Sequence, residues 1–315
     1  MLISVIIPTY NRSESLKDVL DSLIHQESTD GFDWEVLIVD NNSKDKTKEL
    51  AEEFIPKFKG KLRYIFEPTQ GINCARNVGI NNASGDILSF VEDDCVVNKD
   101  WLFEITEFFK NPDHNAMGGK ILPLLPPDTP NWIRRNQASL NGPILQLHDF
   151  GPVTRTYQER GEFFIGANMH FRKSIFNECG MFRVDLGSGT GSKGSETEFF
   201  ERLRSHNLDI YYSGRVALLH KSEAERMNLR FLARWYVHLG RFAARKNFGE
   251  KKEGSVRYFG IPRYLFKDII CYFFLTMFSF LNEQKFLKHF GSFFENIGMF
   301  GEYYRFANKE EKCRR

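Results

Sequence analysis

The stretch Gly85-Asp86-Ile87-Leu88-Ser89-Phe90-Val91-Glu92-Asp93-Asp94-Cys95 carries an apolar run, Ile87 to Val91, that stops abruptly at three consecutive acids. An apolar run of that length reads as a buried strand of a parallel sheet, whose C-terminal tip is where ligands sit. Three adjacent carboxylates repel one another unless a cation joins them. A divalent metal is the natural partner, because hard oxygen ligands suit magnesium or manganese. A solvated acidic turn has the same composition, so the neighbouring elements must choose between the two.

Working outward, the same alternation recurs. Leu2 to Ile7 is an apolar run closed by Pro8, and Val36 to Val39 is a second, ending in Asp40-Asn41-Asn42-Ser43. Leu62 to Phe66 is a third, so the opening stretch holds the fourth strand. Leu16, Val19, Leu20, Leu23 and Ile24 follow helical spacing after the N-cap candidates Asn11, Ser13 and Ser15. Lys44 to Phe58 and Gln70 to Ala83 also read as helices. Four strand–helix alternations with short connections predict a doubly wound α/β sheet with polar residues gathered at the strand tips. Beyond it, Lys99 to Lys110 reads as a helix. Leu122-Pro123-Leu124-Leu125-Pro126-Pro127-Asp128-Thr129-Pro130 reads as irregular, since prolines remove donors and fix φ. It opens an irregular region to about residue 162, which we expect to bind an acceptor. Phe163 to Phe171, Ile210 to Tyr212 and Val216 to Leu219 read as strands, the last ending at His220, and Ser195 to Ser205 as a helix.

The 315 residues can bury a large core in one or two domains. Five cysteines with no CxxC pair predict a reducing compartment and a cytoplasmic location. The N-terminus runs straight into a strand, so no signal peptide is expected. The net charge of +2 hides an asymmetry. Residues 221–315 hold 19 Lys and Arg against 10 Asp and Glu, leaving the rest at −7, and also hold 15 of the 31 Phe. We therefore expect one domain over 1–225 and a basic, Phe-rich helical region over 226–315. Ile269 to Leu281 is too short to span a bilayer, which needs about 20 apolar residues. It reads either as a helix packed on the main domain or as an interfacial helix in peripheral contact with the inner face of the cell membrane. The basic stretch holds no recognised nucleic-acid module, and no nucleic-acid partner is expected.

Gly189-Thr190-Gly191-Ser192-Lys193-Gly194 matches GxGxxG, but it follows a polar Gly/Ser loop rather than a buried strand, so a dinucleotide site is rejected. Four strand tips instead converge. They offer Pro8-Thr9-Tyr10-Asn11-Arg12, then Asp40-Asn41-Asn42-Ser43, then Arg76-Asn77 from the helix after the third strand, then Glu92-Asp93-Asp94. Acceptors for a base or ribose at Asp40, a permanent cation at Arg76 and a metal cage together describe a site for a nucleotide diphosphate with Mg²⁺ or Mn²⁺.

With Ser4-Val5-Ile6-Ile7-Pro8-Thr9-Tyr10-Asn11-Arg12, Val39-Asp40-Asn41-Asn42-Ser43-Lys44-Asp45, Gly71-Ile72-Asn73-Cys74-Ala75-Arg76-Asn77 and Glu92-Asp93-Asp94, the chain resembles the family-2 glycosyltransferases of the GT-A fold over about residues 2–240. The resemblance implies a mixed, mostly parallel sheet flanked by helices, with a C-terminal helical extension. It implies a metal-dependent, inverting transferase that moves a sugar from a nucleotide-diphospho-sugar, most often UDP-linked, to a saccharide or glycolipid hydroxyl in polysaccharide or lipid-linked glycan synthesis. Carried over position by position, Asp40 would meet the nucleobase, Thr9 and Arg12 the nucleoside, Arg76 the nucleotide and diphosphate, and Asp93 the ribose or donor sugar. Pro8, Tyr10 and Asn42 complete that binding set. Asp94 aligns with the last acid of the DxD motif and would hold the metal. Glu92 replaces the usual Asp and would bind it through water, and His220 would complete the site, although a His after an apolar run is often a satisfied core residue. The family's Glu-Asp at the base-bearing helix is here Ser195-Glu196, which makes Glu196 the expected catalytic base. Glu198 is its competitor, two residues on along the helix. The departures at Glu92 and Ser195-Glu196 also admit a second reading, a non-catalytic nucleotide-sugar-binding subunit of a glycan assembly complex. A nucleotidyltransferase would need a Gly-rich, basic N-terminal loop, which Pro8 to Arg12 is not.

Overall fold

Aliphatic runs flanked by turn residues form the first strands of the computed structural model, which describes residues 1–142, 144–158, 162–189, 194–249 and 256–314, the side chains of 246–249 and 308–314 apart. Leu2–Thr9 (β1), Asp33–Asp40 (β2), Leu62–Phe66 (β3) and Ile87–Val91 (β4) lie parallel in the order β3-β2-β1-β4. Ser13–Ile24 (α1), Thr47–Phe54 (α2) and Ile72–Asn82 (α3) return the chain between them. The register pairs Thr9 with Asp40 and Asp40 with Phe66, so the polar tips end side by side.

Past β4 the sheet becomes mixed. It adds Cys95–Val97 (β5), Ala116–Leu124 (β6), Thr154–Thr156 (β7), Asn168–Arg172 (β8) and Ile210–Lys221 (β9). β8 runs antiparallel between β4 and β6, and β6 pairs parallel with β9. On the other side of β9, β5 and β7 take opposite ends, both antiparallel. Trp101–Phe109 (α4), Asn131–Arg135 (α5), Ile175–Glu178 (α6) and Ser195–Ser205 (α7) complete this stretch. One face of the sheet packs Ile3, Val5 and Ile7 against Leu16, Val19 and Leu20 of α1 and Trp101 and Ile105 of α4. The other packs Ile6, Leu88 and Phe90 against Ala75 and Ile80 of α3, Phe176 of α6 and Phe199 and Phe200 of α7. Strand alternation sends successive side chains into the two layers.

Three expectations need correction. The Leu122-Pro123-Leu124 segment is strand, because β6 continues to Leu124. Ile121 exchanges both backbone hydrogen bonds with His148, on the side away from β9. Two residues on, the proline nitrogen faces that same side, so the ladder to β9 needs no donor from it. The strand expected from Phe163 begins only at Asn168. The two strands expected at 210–212 and 216–219 are one, interrupted by a register shift where β9 passes from Ser213 to Ala217. The rejected GxGxxG stretch has its residues 190–193 outside the described residues.

The chain divides into two compact units, residues 1–124 with 147–221 and residues 125–146 with 222–315. The first is the sheet and its helices. The second contains α5, Leu229–Gly249 (α8), a short hairpin of Arg257–Tyr258 (β10) and Ile261–Pro262 (β11), Arg263–Phe278 (α9) and Glu283–Arg314 (α10). Part of the region expected to be irregular thus belongs with the C-terminal helices: Ile133, Leu140 and Leu145 pack with Leu232 and Leu287. α8 and α10 touch backbone to backbone, since a Cβ at Gly240 would strike the carbonyl of Glu295, and one at Gly298 that of Val237. Among the described residues no helix is long and apolar enough to cross a membrane.

Candidate active site

The strand tips enclose a cavity of about 310 Å³ lined by Pro8, Thr9, Tyr10 and Arg12 of the β1 tip, Asn41 after β2, Gln70, Gly71, Ile72 and Ala75 at the start of α3, Glu92 and Asp93 after β4, and Ser188 and Gly189. Five expected binding residues, Pro8, Thr9, Tyr10, Arg12 and Asp93, stand on its wall, as does Glu92. Asp40, Asn42 and Arg76 do not. Asp40 is buried and accepts hydrogen bonds from Tyr64 Oη at 2.6 Å and from the Ser43 amide at 2.8 Å. Its neighbour Asn41 takes the place on the wall and braces the following loop. Asn41 Nδ2 donates to the Thr69 carbonyl at 2.6 Å, and Asn41 Oδ1 accepts from the Gly71 amide at 2.8 Å. Asn42 sits in the left-handed region at φ 67 and turns its amide to the Pro68 carbonyl.

The acids after β4 are not a solvated turn. Asp93 and Asp94 are both about nine-tenths buried, each 6% exposed. Arg12 reaches in to bridge them, ion-paired with Asp94 and 3.5 Å from Asp93. His220, at the end of β9 and opposite Cys95 in the register, places Nε2 3.2 Å from Asp94 Oδ1 and 3.4 Å from Glu92 Oε2. Asp94 Oδ1 is sealed from solvent, with His220 Nε2 its close contact. Burial would raise the Asp94 carboxyl, but His220 and Arg12 outweigh it and hold the group below its ordinary range. Burial works against a proton on His220, and the hydrogen bonds and charges of Asp94 and Glu92 override it to push the imidazole well above its usual value. Asp93 goes the other way, raised to about 7 by burial and by the neighbouring Asp94, with Arg12 opposing.

This donor set suits a divalent cation. Asp94 Oδ1 and Glu92 Oε2 stand 3.2 and 3.4 Å from the same His220 nitrogen, hard and borderline donors of the kind that bind Mn²⁺ or Mg²⁺. Cys95 also has its sulfur within 4.8 Å of the Asp94 and His220 ligand atoms. Its thiol is fully buried and held protonated by burial and by the adjacent acids, and sulfur is the softer ligand, which disfavours it for a hard cation.

Beside the acids lies a second charged knot. Arg76 is completely buried. Its Nη2 lies 2.9 Å from Glu196 Oε1 and 3.9 Å from Glu92 Oε1. Its Nη1 donates to Asn73 Oδ1 at 3.2 Å, and the ring of Phe182 faces the guanidinium. Asn73 Nδ2 in turn donates to Ser195 Oγ at 2.8 Å and to the Arg183 carbonyl at 2.7 Å. Gly166 makes the knot possible: a Cβ there would collide with Arg76 Nη2, and would stand 2.6 Å from Glu196 Oε1 and 3.2 Å from Glu92 Oε1. Burial raises the Glu196 carboxyl and the Arg76 charge more than offsets it, so Glu196 is held as a carboxylate. Glu198 is committed elsewhere, in a two-pronged pair with Arg202 at 2.8 and 3.1 Å.

Sequence reasoning missed Gln70, Gly71, Ile72 and Asn41 on the wall, and the tie from Ser195 to Asn73. The Gly-Ile-Asn opening of α3 was their one local signal. Arg76 was expected toward a ligand, yet it lies beneath the wall, where it holds Glu196 and Glu92.

The model of the family described as glycosyl transferase family 2 matches residues 4–180. Glycosyltransferase AglE of Haloferax volcanii is 35% identical over 119 residues, 38% of this chain and 39% of AglE, so the match spans well under half of that relative. Succinoglycan biosynthesis protein ExoM of Rhizobium meliloti is 27% identical over 229 residues, 72% of this chain and 69% of ExoM. Among solved structures, S. aureus TarS 1–349 in complex with UDP matches at TM-score 0.55 and 17% identity, covering 100% of this chain and 92% of that one. Mannosyltransferase PcManGT from Pyrobaculum calidifontis, in complex with GDP-Man and Mn²⁺, matches at TM-score 0.54 and 15% identity, covering 99% and 75%. At such identities the likeness is one of fold, the GT-A arrangement of a mixed sheet between helices. Because the family model takes in more than half of the sequence, the chain belongs to glycosyl transferase family 2.

Proposed function

We propose that the chain moves a sugar from a nucleotide-diphospho-sugar, of the UDP kind, to a hydroxyl of a saccharide or glycolipid acceptor, with inversion at the anomeric carbon, in polysaccharide or lipid-linked glycan synthesis. The observation that carries this reading is a strand-tip cavity lined by Glu92 and Asp93, with a partly buried carboxylate, Glu196, held ionised by the same Arg76 that pairs with Glu92. TarS with UDP and PcManGT with GDP-Man support a nucleotide-linked donor, and ExoM's name supports a polysaccharide setting. Tyr10, half exposed on the wall, offers a face for a nucleobase, and the α3 N-terminus offers its positive end to a diphosphate. The Arg12 guanidinium can swing from the acids to the phosphates.

Glu92, Asp94 and His220 would hold Mn²⁺ or Mg²⁺, which when bound supplies Lewis-acid stabilisation of the departing diphosphate. Glu196 takes the proton of the acceptor hydroxyl. The acceptor oxygen attacks the anomeric carbon from the face opposite the diphosphate, and the C–O bond to the diphosphate breaks with its electron pair leaving on that group. One displacement inverts the centre, so no covalent enzyme intermediate forms. Arg76 keeps Glu196 deprotonated and aimed. Asp93 meets the ribose or donor sugar, and Asp40 orders the β2 tip from behind.

Glu196→Gln tests the base. Turnover should fall by about 10²–10⁴ while the thermal shift on adding donor persists; a near-normal rate sinks the assignment. The alternative, a nucleotide-sugar-binding subunit without turnover, is favoured by one observation, that Arg76 lowers the basicity of Glu196. Slow donor hydrolysis by the wild-type protein would exclude it, and tight donor binding with no turnover against any acceptor would establish it. Peripheral contact with the inner face of the cell membrane belongs to the same reading, since glycolipid acceptors lie there.

A further inference from the structure

The second unit inverts the usual arrangement of a surface helix. In α9, Ile270, Phe273, Phe274, Met277 and Phe278 fall at i, i+3, i+4, i+7 and i+8, the spacing of a core-facing stripe, yet all five are exposed. The turn into α10 extends the stripe with Phe280 and Leu281, and exposure peaks here, at 82% for Phe278 and 87% for Leu281. The opposite side of α9 is where its partners lie: Leu265 is fully buried with Ile261 and Tyr303, and Ser279 Oγ hydrogen-bonds His289 Nδ1 of α10 at 2.8 Å. No charged residue occurs between Ile269 and Asn282.

We infer that this stripe, with the α9–α10 turn at its tip, docks the protein onto an anionic lipid surface, lying in the interface rather than crossing it. Charge chooses the occupant. Exposed Arg263 and Lys267 stand two turns and one turn before Ile270 on the same side of α9, and exposed Lys285 and Lys288 follow the turn. From 257 to 288 there are five basic residues and two acidic ones, and one of those, Glu283, is already paired with Arg135. An apolar stripe with cations at both ends fits acyl chains beneath phosphate headgroups. Self-pairing of the stripe fits worse, because either orientation of two α9 helices sets a cationic end against a cationic end. α9 has 16 residues, short of the about 20 needed to span. The inference deepens the glycolipid-acceptor reading by naming the surface that would bring the protein to such acceptors.

Co-sedimentation with vesicles of phosphatidylcholine containing about one-third phosphatidylglycerol tests it, against vesicles of phosphatidylcholine alone. The full chain should pellet with the anionic vesicles and largely stay in solution with the neutral ones. Phe278→Ser with Leu281→Ser should lower the partition by more than about tenfold, with an unchanged melting temperature, since both side chains are already in water. Lys285→Glu with Lys288→Glu should lower it severalfold on anionic vesicles only. Wild-type protein that stays in the supernatant, or a serine variant that pellets equally well, overturns the inference. A wild-type dimer that the serine variant dissociates, without vesicle recruitment, overturns it in favour of a second copy. Donor hydrolysis measured without vesicles reads the transfer chemistry separately, so either idea can fail alone.

Discussion

One sheet buries polar groups in two ways. In its middle, Asn168 of β8 is fully buried and spends its whole amide: Oδ1 accepts from Trp101 Nε1 at 3.0 Å and from His170 Nε2 at 2.9 Å, while Nδ2 donates to the carbonyls of Lys120 and Val216, both at 2.9 Å. At the tip, Asp94 Oδ1 and Arg76 Nη2 are equally sealed from water and rest on ion pairs, to His220 at 3.2 Å and Glu196 at 2.9 Å, while Arg76 Nε has no partner among the described residues. Burying a polar group without a partner costs about 1–3 kcal/mol, and more for a charge. The satisfied belt therefore holds the fold together, and the ion-paired tip keeps buried charges that a ligand of the right charge can compete for.

The largest effect should come from Asp94→Asn. At constant size it takes a partner from Arg12 and His220 but also relieves repulsion with Glu92 and Asp93, so the melting temperature should move by no more than about 3 °C. Donor turnover should fall by about 10²–10³, and the thermal shift on adding Mn²⁺ should vanish. A large loss of stability with turnover kept would make the tip structural after all.

Asn168→Ala should do the reverse. Four buried partners lose their bonds at once, costing at least about 3 kcal/mol in urea unfolding. Whatever remains folded should bind donor normally. Gly166→Ala joins the two behaviours, because the added methyl has no room among Arg76, Glu196 and Glu92. Overpacking should cost about 1–3 kcal/mol, and displacement of Glu196 should lower turnover further than the folded fraction explains. Unchanged stability and unchanged turnover together would mean the knot around Gly166 is loose.

The comparison also explains what could be read from residues alone. β3, β4 and α7 lie where the sequence places them, because local signals agree with tertiary context: an apolar run between turns for each strand, and Phe199, Phe200 and Leu203 spaced along one face of the helix. β6 crosses Pro123 because the missing donor happens to face away from its neighbour β9, which only the register reveals. The tip's acids were legible as candidates in Glu92-Asp93-Asp94, but a solvated turn has the same composition, and only the three other strand tips argued for a ligand. The course of Arg76 beneath the wall was not legible, because its burial depends on Gly166 and Phe182, about 90 and 106 positions away, and no spacing rule reaches that far. The belt was invisible for the same reason. Asn168 and His170 look like ordinary polar residues on a strand until Trp101 and Ser89 are seen to meet them.

The smallest effect is a pH slope, and it separates the belt from the tip without touching a tip residue. Lys120 and Val216 offer only carbonyls, so they fix which end of the Asn168 amide carries its protons. Oδ1 then can only accept, and His170 Nε2 must hold the ring's one proton, leaving Nδ1, 3.0 Å from Ser89 Oγ, to take the hydroxyl's. A second proton has nowhere to go. Burial alone, with no charged neighbour acting, pushes the His170 imidazole down to about 3. Its unfolded value is about 6.5. Above that pH both states are neutral and the full stability is present; as pH falls toward 3, the unfolded chain takes up a proton that the native belt refuses, and stability is lost at up to about 1.4 kcal/mol per pH unit. His148, pushed down by burial to about 4, adds the same sign over a narrower window. Melting temperatures followed from pH 7 to pH 5 should therefore decline, and His170→Gln, which can still donate to Asn168 and accept from Ser89 but cannot titrate, should flatten the slope. An equally steep decline in His170→Gln would move the acid sensitivity out of the belt, to His148 or to the carboxylates at the tip.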